Sequence, residues 1–201
     1  MKVMLKDLGS LQVGYQAREA VRDDPKGSHW IIQMRNLLAH GLVDRATLAR
    51  FEPDREPDPY TVYNGDVLLQ VRGTVHRAGV VRDLPDPTLA ANHFYILRPD
   101  TTRVIPEFVA WYLNQSTAQS QILKGAQSAG TVSIVPKAMF ESIEVPIPSL
   151  DKQCHIVELD RLQWREKELT TQLQAKRAQC LYSFCMYIAN GNQPEKRTTT
   201  Q

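Results

Sequence analysis

The stretch from Asp151 to Ala189 contains neither glycine nor proline, and Gly191 follows shortly after it. Ser149 or Asp151 can cap a helix at its start, and the glycine can end one. At about 1.5 Å per residue, a helix of this span is on the order of 55 Å long. Because this exceeds what a small domain can cover with one flank, the sequence predicts a long C-terminal α-helix that needs a further partner.

Apolar side chains recur along this predicted helix at steps close to three and four residues. The stripe consists of Leu159, Leu162, Leu169, Leu173, Cys180 and Phe184. A heptad pattern of this kind favours packing against a second helix as a coiled coil. An alternative stays open at this point, in which the helix folds back on its own domain.

In residues 1–150, short apolar runs alternate with turn residues, which is typical of one β-rich domain. Apolar runs between turn residues predict strands at 3–5, 11–13, 29–34, 67–72, 78–81 and 93–97, with a turn at Gly9 and Ser10. Proline at a helix start predicts a helix over 106–113, 125–135 is expected to be a polar loop, and 136–143 a short helix or turn. The fold class is therefore α+β: a β-rich domain (1–150), one long helix (151–189) and a disordered tail (190–201).

Composition excludes several classes of protein. No apolar run approaches the roughly 20 residues that cross a bilayer, and the first residues lack a secretory signal pattern, so a cytoplasmic location without membrane association is expected. The cysteines Cys154, Cys180 and Cys185 are odd in number and irregularly spaced, which is not typical of a disulfide framework. Neither a metal nor a cofactor is predicted.

The distribution of charge is more informative than the net charge of +2. Three windows contain no carboxylate: between Asp24 and Asp44, between Asp66 and Asp83, and between Glu107 and Glu141. A surface that faces the DNA backbone must lack carboxylates, because each would repel the phosphates. The windows therefore indicate candidate DNA-facing segments, although chance clustering on a mixed surface is an alternative.

Arginine and glutamine can pair with base edges in the major groove, whereas basic and hydroxyl groups bind phosphates. The candidates for base contacts are Gln33, Arg35, Gln70, Arg72 and Arg77. The candidates for phosphate contacts are Lys26, His76, Lys124, Ser128, Thr131, Ser133 and Lys137. Gly73, together with Gly125 and Gly130, is expected to let the backbone approach DNA closely.

Catalytic motifs are not apparent in the sequence. The acidic run between Glu52 and Asp58 is interrupted by prolines and is not followed by an acid-x-Lys triplet, so a solvated loop is the favoured interpretation. There is no glycine-rich loop of the phosphate-cradling type, and the five histidines have no metal-ligand spacing. The sequence does not support an enzymatic function.

Two segments resemble the specificity subunits of type I restriction–modification systems. Residues 63–73, Tyr-Asn-Gly-Asp-Val-Leu-Leu-Gln-Val-Arg-Gly, are similar to a segment of their target recognition domains. Residues 143–157, with Ile-Glu-Val-Pro-Ile-Pro followed by Gln153 and Ile156-Val157, closely resemble the entry into their long spacer helix. Residues 125–139 also resemble the Gly/Ser/Thr loop of that family.

The resemblance implies a non-catalytic subunit that binds double-stranded DNA and positions a methyltransferase subunit, with a restriction subunit as a further possible partner. Family members usually carry two recognition domains and two helices that pack as an antiparallel coiled coil. This chain has one of each and looks like a half-length form. A homodimer through the helix is therefore expected, with a split, inverted-repeat DNA target.

Three other functions stay open at this point. The chain could be a stand-alone enzyme such as a small nuclease, or a dimeric module whose domain binds protein. The protein-binding alternative is disfavoured by the polar 108–140 window, because protein-binding surfaces usually expose aromatic anchors. The third alternative is a homodimeric DNA-binding regulator that acts without a methyltransferase.

Overall fold

The computed structural model describes residues 2–38, 40–125, 127–129 and 132–191, apart from the side chains of 127–129 and 132. The chain divides into two compact units, 1–158 and 159–201. The strands are β1 (Lys2–Met4), β2 (Gly9–Val13), β3 (His29–Ile32), β4 (Ala49–Phe51), β5 (Val67–Gln70), β6 (Arg72–Gly73), β7 (Ala78–Val80), β8 (Thr88–Ala90), β9 (Phe94–Pro99), β10 (Gln127–Ala129), β11 (Val132–Ile134) and β12 (Glu144–Pro146). The α-helices are α1 (Pro106–Leu113), α2 (Ser116–Gly125), α3 (Lys137–Glu141) and α4 (Leu150–Ala189). The predicted α+β class with one long C-terminal helix is confirmed.

The main sheet of the first unit has the strand order β2-β9-β5-β7, and all its pairings are antiparallel. Its inner strand β5 is buried at every position. Val67 and Leu69 join the core that contains Phe108 of α1, whereas Leu68 joins a second core that contains Ile32 of β3. Because both faces are covered, the strand is a continuous apolar run rather than an alternating one.

Three smaller sheets surround this core. In the order β4-β3-β8, β3 pairs antiparallel with β4 and parallel with β8. β1 pairs with β12, which brings the two ends of the domain together. The last sheet has the order β10-β11-β6 and links two segments that are distant in sequence.

The beginning of α4 is tied to the first unit by one buried amide. The side chain of Gln153 is fully buried. Its Oε1 accepts from the Ile105 backbone N–H at 2.8 Å, and its Nε2 donates to the carbonyls of Arg103 (3.2 Å) and Pro148 (2.9 Å). These bonds join the helix to the segment that precedes α1.

Gln153→Ala should destabilise the first unit by about 1–3 kcal/mol, because it leaves buried backbone groups without partners. Urea unfolding followed by circular dichroism would measure the change. Cys154→Ala is the matched control, since Cys154 is exposed and a surface substitution typically changes stability by less than about 0.5 kcal/mol. Equal stability of the two variants would contradict the role of the Gln153 side chain in stabilising the first unit.

Several local predictions were wrong. Gly9 and Ser10 belong to β2 and do not form a turn. The segment predicted as a polar loop after Gly125 contains β10 and β11. Strands β4 and β8 and helix α2 were not predicted.

The predicted helix over 106–113 matches α1, and α3 lies within the expected helix or turn at 136–143. Among the described residues, none of the helices is long and apolar enough to cross a membrane. The predicted disordered tail begins at Asn190, and its residues 192–201 lie outside the described part of the chain. The division of function between 1–150 and 151–189 stays a prediction.

Candidate nucleic-acid interface

Strands β6 and β11 form a small surface with two distinct faces. In their antiparallel register, Ile134 lies opposite Arg72 and Ser133 lies opposite Gly73. Directly opposed residues point to the same side of a sheet, and successive residues point to opposite sides. Arg72 is exposed and Ile134 is 39% exposed, so these two residues share the outer face.

The inner face is held by a buried histidine. His76 is only 2% exposed; its Nδ1 lies 3.1 Å from the Gln70 carbonyl oxygen and its Nε2 lies 3.2 Å from Ser133 Oγ. A carbonyl only accepts hydrogen bonds, so Nδ1 carries the proton, and in the neutral ring Nε2 accepts from the serine hydroxyl. The His76 carbonyl in turn accepts from Gln119 Nε2 at 2.7 Å.

His76 and Ser133 were predicted as phosphate contacts, and the structure gives both side chains partners within the protein. Both ring nitrogens of His76 and the hydroxyl of Ser133 are engaged in the same bridge. The bridge ties β11 to the end of β5, so these side chains support the surface from behind instead of forming it.

Gly73 allows a close approach on the same inner face. Its φ is +121°, a conformation that favours glycine. A Cβ atom at this position would lie 3.1 Å from Gln70 Nε2 and 3.2 Å from Met34 Cε. Gly73 was predicted to let DNA approach, but the groups that approach it in the structure are these two side chains.

Gln70, predicted as a base contact, also has a partner within the protein. Its side chain is 7% exposed, and its Nε2 donates to the Arg72 carbonyl at 3.0 Å. Gln70 therefore supports the strand that carries Arg72.

The three acid-free windows meet around Gly73. Met34 Cε from the first window lies 3.2 Å from the position that a Cβ on Gly73 of the second window would occupy. Ser133 from the third window pairs with Gly73 across the strands. The second and third windows meet again where Asn114 exchanges two hydrogen bonds of 2.9 Å with the backbone of Ala78. The fold thus brings segments without carboxylates together at Gly73 and at Ala78.

Arg72 differs from other arginines of the first unit in its partners. Arg82 donates through Nε to Glu107 at 2.8 Å, and Arg98 makes two bonds of 2.9 Å to Asp66. Within the described part of the chain, Arg72 forms no ion pair. Burial of the His93 side chain and, to a smaller extent, the positive charge of Arg72 lower the pKa of His93. The His93 ring is therefore neutral at pH 7.

A family profile described as type I restriction modification DNA specificity domain matches residues 49–176. The chain belongs to this family. The match includes β5, β6, β10, β11 and the first part of α4. No match was found among curated proteins.

Three solved structures resemble this specificity domain in fold. The S subunit of a type I restriction–modification system from M. genitalium aligns with a TM-score of 0.55 and 14% identity, over 89% of this chain and 42% of that one. The HsdS subunit from Thermoanaerobacter tengcongensis aligns with a TM-score of 0.65 and 18% identity, over 94% of this chain and 48% of that one. A chain from a study of complex assembly and conformational transition of the type I R-M system aligns with a TM-score of 0.69 and 15% identity, over 100% of this chain and 51% of that one. The chain thus spans about half the length of these proteins.

The other predicted DNA contacts of the specificity domain are dispersed. Arg35 is exposed beside Met34, and Gln33 caps the short 3-10 helix that contains both. Lys26 precedes β3 and Met34 follows it, so Lys26 lies at the opposite end of that strand. The remaining positions are Arg77, half-buried before β7; Lys124, exposed at the end of α2; and Lys137, whose Nζ lies 3.6 Å from Glu141 Oε1. Thr131 and the side chain of Ser128 lie outside the described residues.

The predicted stripe of α4 is exposed at every position. Leu159 is 68% exposed, Leu162 51%, and Leu169, Leu173 and Phe184 48% each, and Cys180 is exposed as well. The end of the helix exposes further large apolar side chains that the heptad pattern had not included: Leu181, Tyr182, Met186, Tyr187 and Ile188.

Three residues of the candidate interface were missed from the sequence: Met34, Asn114 and Ile134. Met34 and Asn114 lie next to residues that are far away in the chain, Gly73 and Ala78. Only Ile134 had a local signal, because it is an aliphatic residue that alternates with Ser133 in a polar segment.

Proposed function

We propose that the chain reads a specific sequence in double-stranded DNA, with the outer face of β6 and β11 as its base-reading surface. The observation that carries this proposal is Arg72: it is exposed, has no ion-pair partner in the described part of the chain, and lies where three acid-free windows meet. An unpaired arginine can pair bidentately with guanine in the major groove. Family membership supports the same function.

In this proposal the subunit is non-catalytic and acts in the cytoplasm. It binds a methyltransferase subunit, and in a complete restriction system a restriction subunit, and directs methylation to its target. Arg35 and Arg77 are further candidates for base contacts, and Lys26, Lys124, Ser128, Thr131 and Lys137 for phosphate contacts. Lysine contacts of this kind add affinity without sequence information.

Two copies are proposed to associate through α4. The exposed leucines support this step, because burying one leucine side chain stabilises an association by about 1.5–3 kcal/mol. An antiparallel pair of helices has two-fold symmetry, so the two recognition domains would bind inverted half-sites.

Selection from a random double-stranded DNA library with the purified chain tests the proposal. We expect enrichment of two inverted half-sites at a fixed spacing. In a second step, the selected duplex is incubated with S-adenosylmethionine and a methyltransferase subunit of a type I restriction–modification system. Methylation at the target should require both proteins, and each protein alone is the control.

The outcomes separate the rival functions. If no sequence is enriched, DNA recognition is wrong and a protein-binding module is favoured. If a sequence is enriched but methylation does not depend on the chain, a regulator without a methyltransferase is favoured. Cleavage of the duplex by the chain alone with Mg²⁺ would reveal a nuclease.

A further inference from the structure

Ile134 is an aliphatic residue on the same face as Arg72. The side chain of its neighbour Ser133 points inward to the buried His76, so by strand alternation Ile134 points outward. Its 39% exposure agrees with this orientation. An apolar residue therefore lies opposite Arg72 on the proposed base-reading surface.

The chemistry of base edges restricts what this side chain can recognise. An aliphatic group cannot pair with donors or acceptors, and the 5-methyl group of thymine is the apolar feature that the major groove offers. Opposed side chains on paired strands have Cβ atoms about 4.5–5.5 Å apart. Successive bases are about 3.4 Å apart along a strand. Two such side chains therefore reach the same or neighbouring base pairs.

Resting on the proposed function, we infer that Ile134 is a specificity-determining residue. It contacts the 5-methyl group of a thymine within one base-pair step of the guanine that Arg72 reads. The pair thus reads a short guanine–thymine combination, in which Arg72 supplies hydrogen bonds and Ile134 supplies apolar contact.

The position of Ile134 is fixed more firmly than that of another exposed aliphatic residue nearby. Ile134 pairs with Arg72 in the sheet, and the adjacent Ser133 bonds to His76. Val75 is 44% exposed but lies in the loop between β6 and β7. Val75 therefore serves as the matched control for exposed aliphatic surface.

The experiment uses the full chain and the DNA target obtained by selection. The guanine read by Arg72 is located first: replacing it by 7-deazaguanine, which lacks the N7 acceptor, should weaken binding of the wild type but not of Arg72→Ala. Single thymines are then replaced by deoxyuridine, which removes only the methyl group. We expect one replacement, within one base-pair step of that guanine, to weaken wild-type binding about fourfold, as for one buried methylene.

Ile134→Ala should bind the thymine and deoxyuridine duplexes equally, whereas Ile134→Val and Val75→Ala should still distinguish them. The inference is wrong if no deoxyuridine replacement weakens wild-type binding, or if the selected target has no thymine. It is also wrong if Ile134→Ala remains sensitive, or if Val75→Ala loses the sensitivity instead. Each of these results leaves the proposed function intact, whereas a failed selection removes both.

Discussion

Arg72→Ala should weaken binding to the selected DNA target by about 1–3 kcal/mol, as expected for the loss of one bidentate base contact. Binding to unrelated DNA should change much less, because a guanidinium on a base edge adds little to phosphate binding. Titration of fluorescent duplexes at one fixed salt concentration would measure both affinities, since salt alone changes them strongly.

Arg82→Ala is the control for this experiment. Arg82 comes from the same acid-free window, but its guanidinium is bonded to Glu107. Its loss should leave sequence discrimination unchanged. If both variants lose the same affinity for target and unrelated DNA, the effect is one of general charge and Arg72 is not a base contact.

A double substitution in α4, Leu169→Asp with Leu173→Asp, should convert the proposed dimer to a monomer. Each carboxylate would have to be buried beside apolar side chains, which costs several kcal/mol without a partner charge. Sedimentation velocity would measure the mass. Affinity for the inverted repeat should fall by about 100-fold or more, because the second half-site is no longer bound within one complex.

Thr171→Asp adds one carboxylate about 160–200° around the helix from both leucines. Thr171 is exposed, and this variant should remain dimeric. The double variant should keep its affinity for a single half-site, which shows that the recognition domain is folded. A dimer that survives the double substitution would exclude this stripe as the interface.

Local sequence signals were sufficient for the long elements. The absence of glycine and proline between Asp151 and Ala189 predicted α4 almost to the residue, and Pro106 marked the start of α1. The apolar run at β5 was also clear, because a strand buried on both faces needs no alternation. These elements depend mainly on their own composition.

The elements that were missed depend on distant partners. β8 has three residues, and its assignment as a strand follows from parallel pairing with β3. β10 and β11 have three residues each, and the pairing with β6 that completes their sheet joins residues 72–73 to 133–134. No local pattern shows such a pairing, so the composition of this segment suggested a loop.

The same limit applies to the candidate site. His76 in an acid-free window looked like a phosphate ligand, but its ring is hydrogen-bonded to Ser133, which lies 57 residues later in the chain. Gln70 looked like a base-reading amide, but it donates to the backbone of Arg72. Arg72 remains a candidate base contact because it forms no ion pair with any residue in the described part of the chain.

The alternation of β6 and β11 separates the side chains that support the strand pairing from those that are proposed to contact DNA. Gly73, Ser133 and His76 lie on the inner face, while Arg72 and Ile134 project outward. Under the proposed function, substitutions at 72 and 134 are therefore expected to change the DNA target without altering the framework. Libraries randomised at these two positions offer a direct route to variants with new sequence preferences.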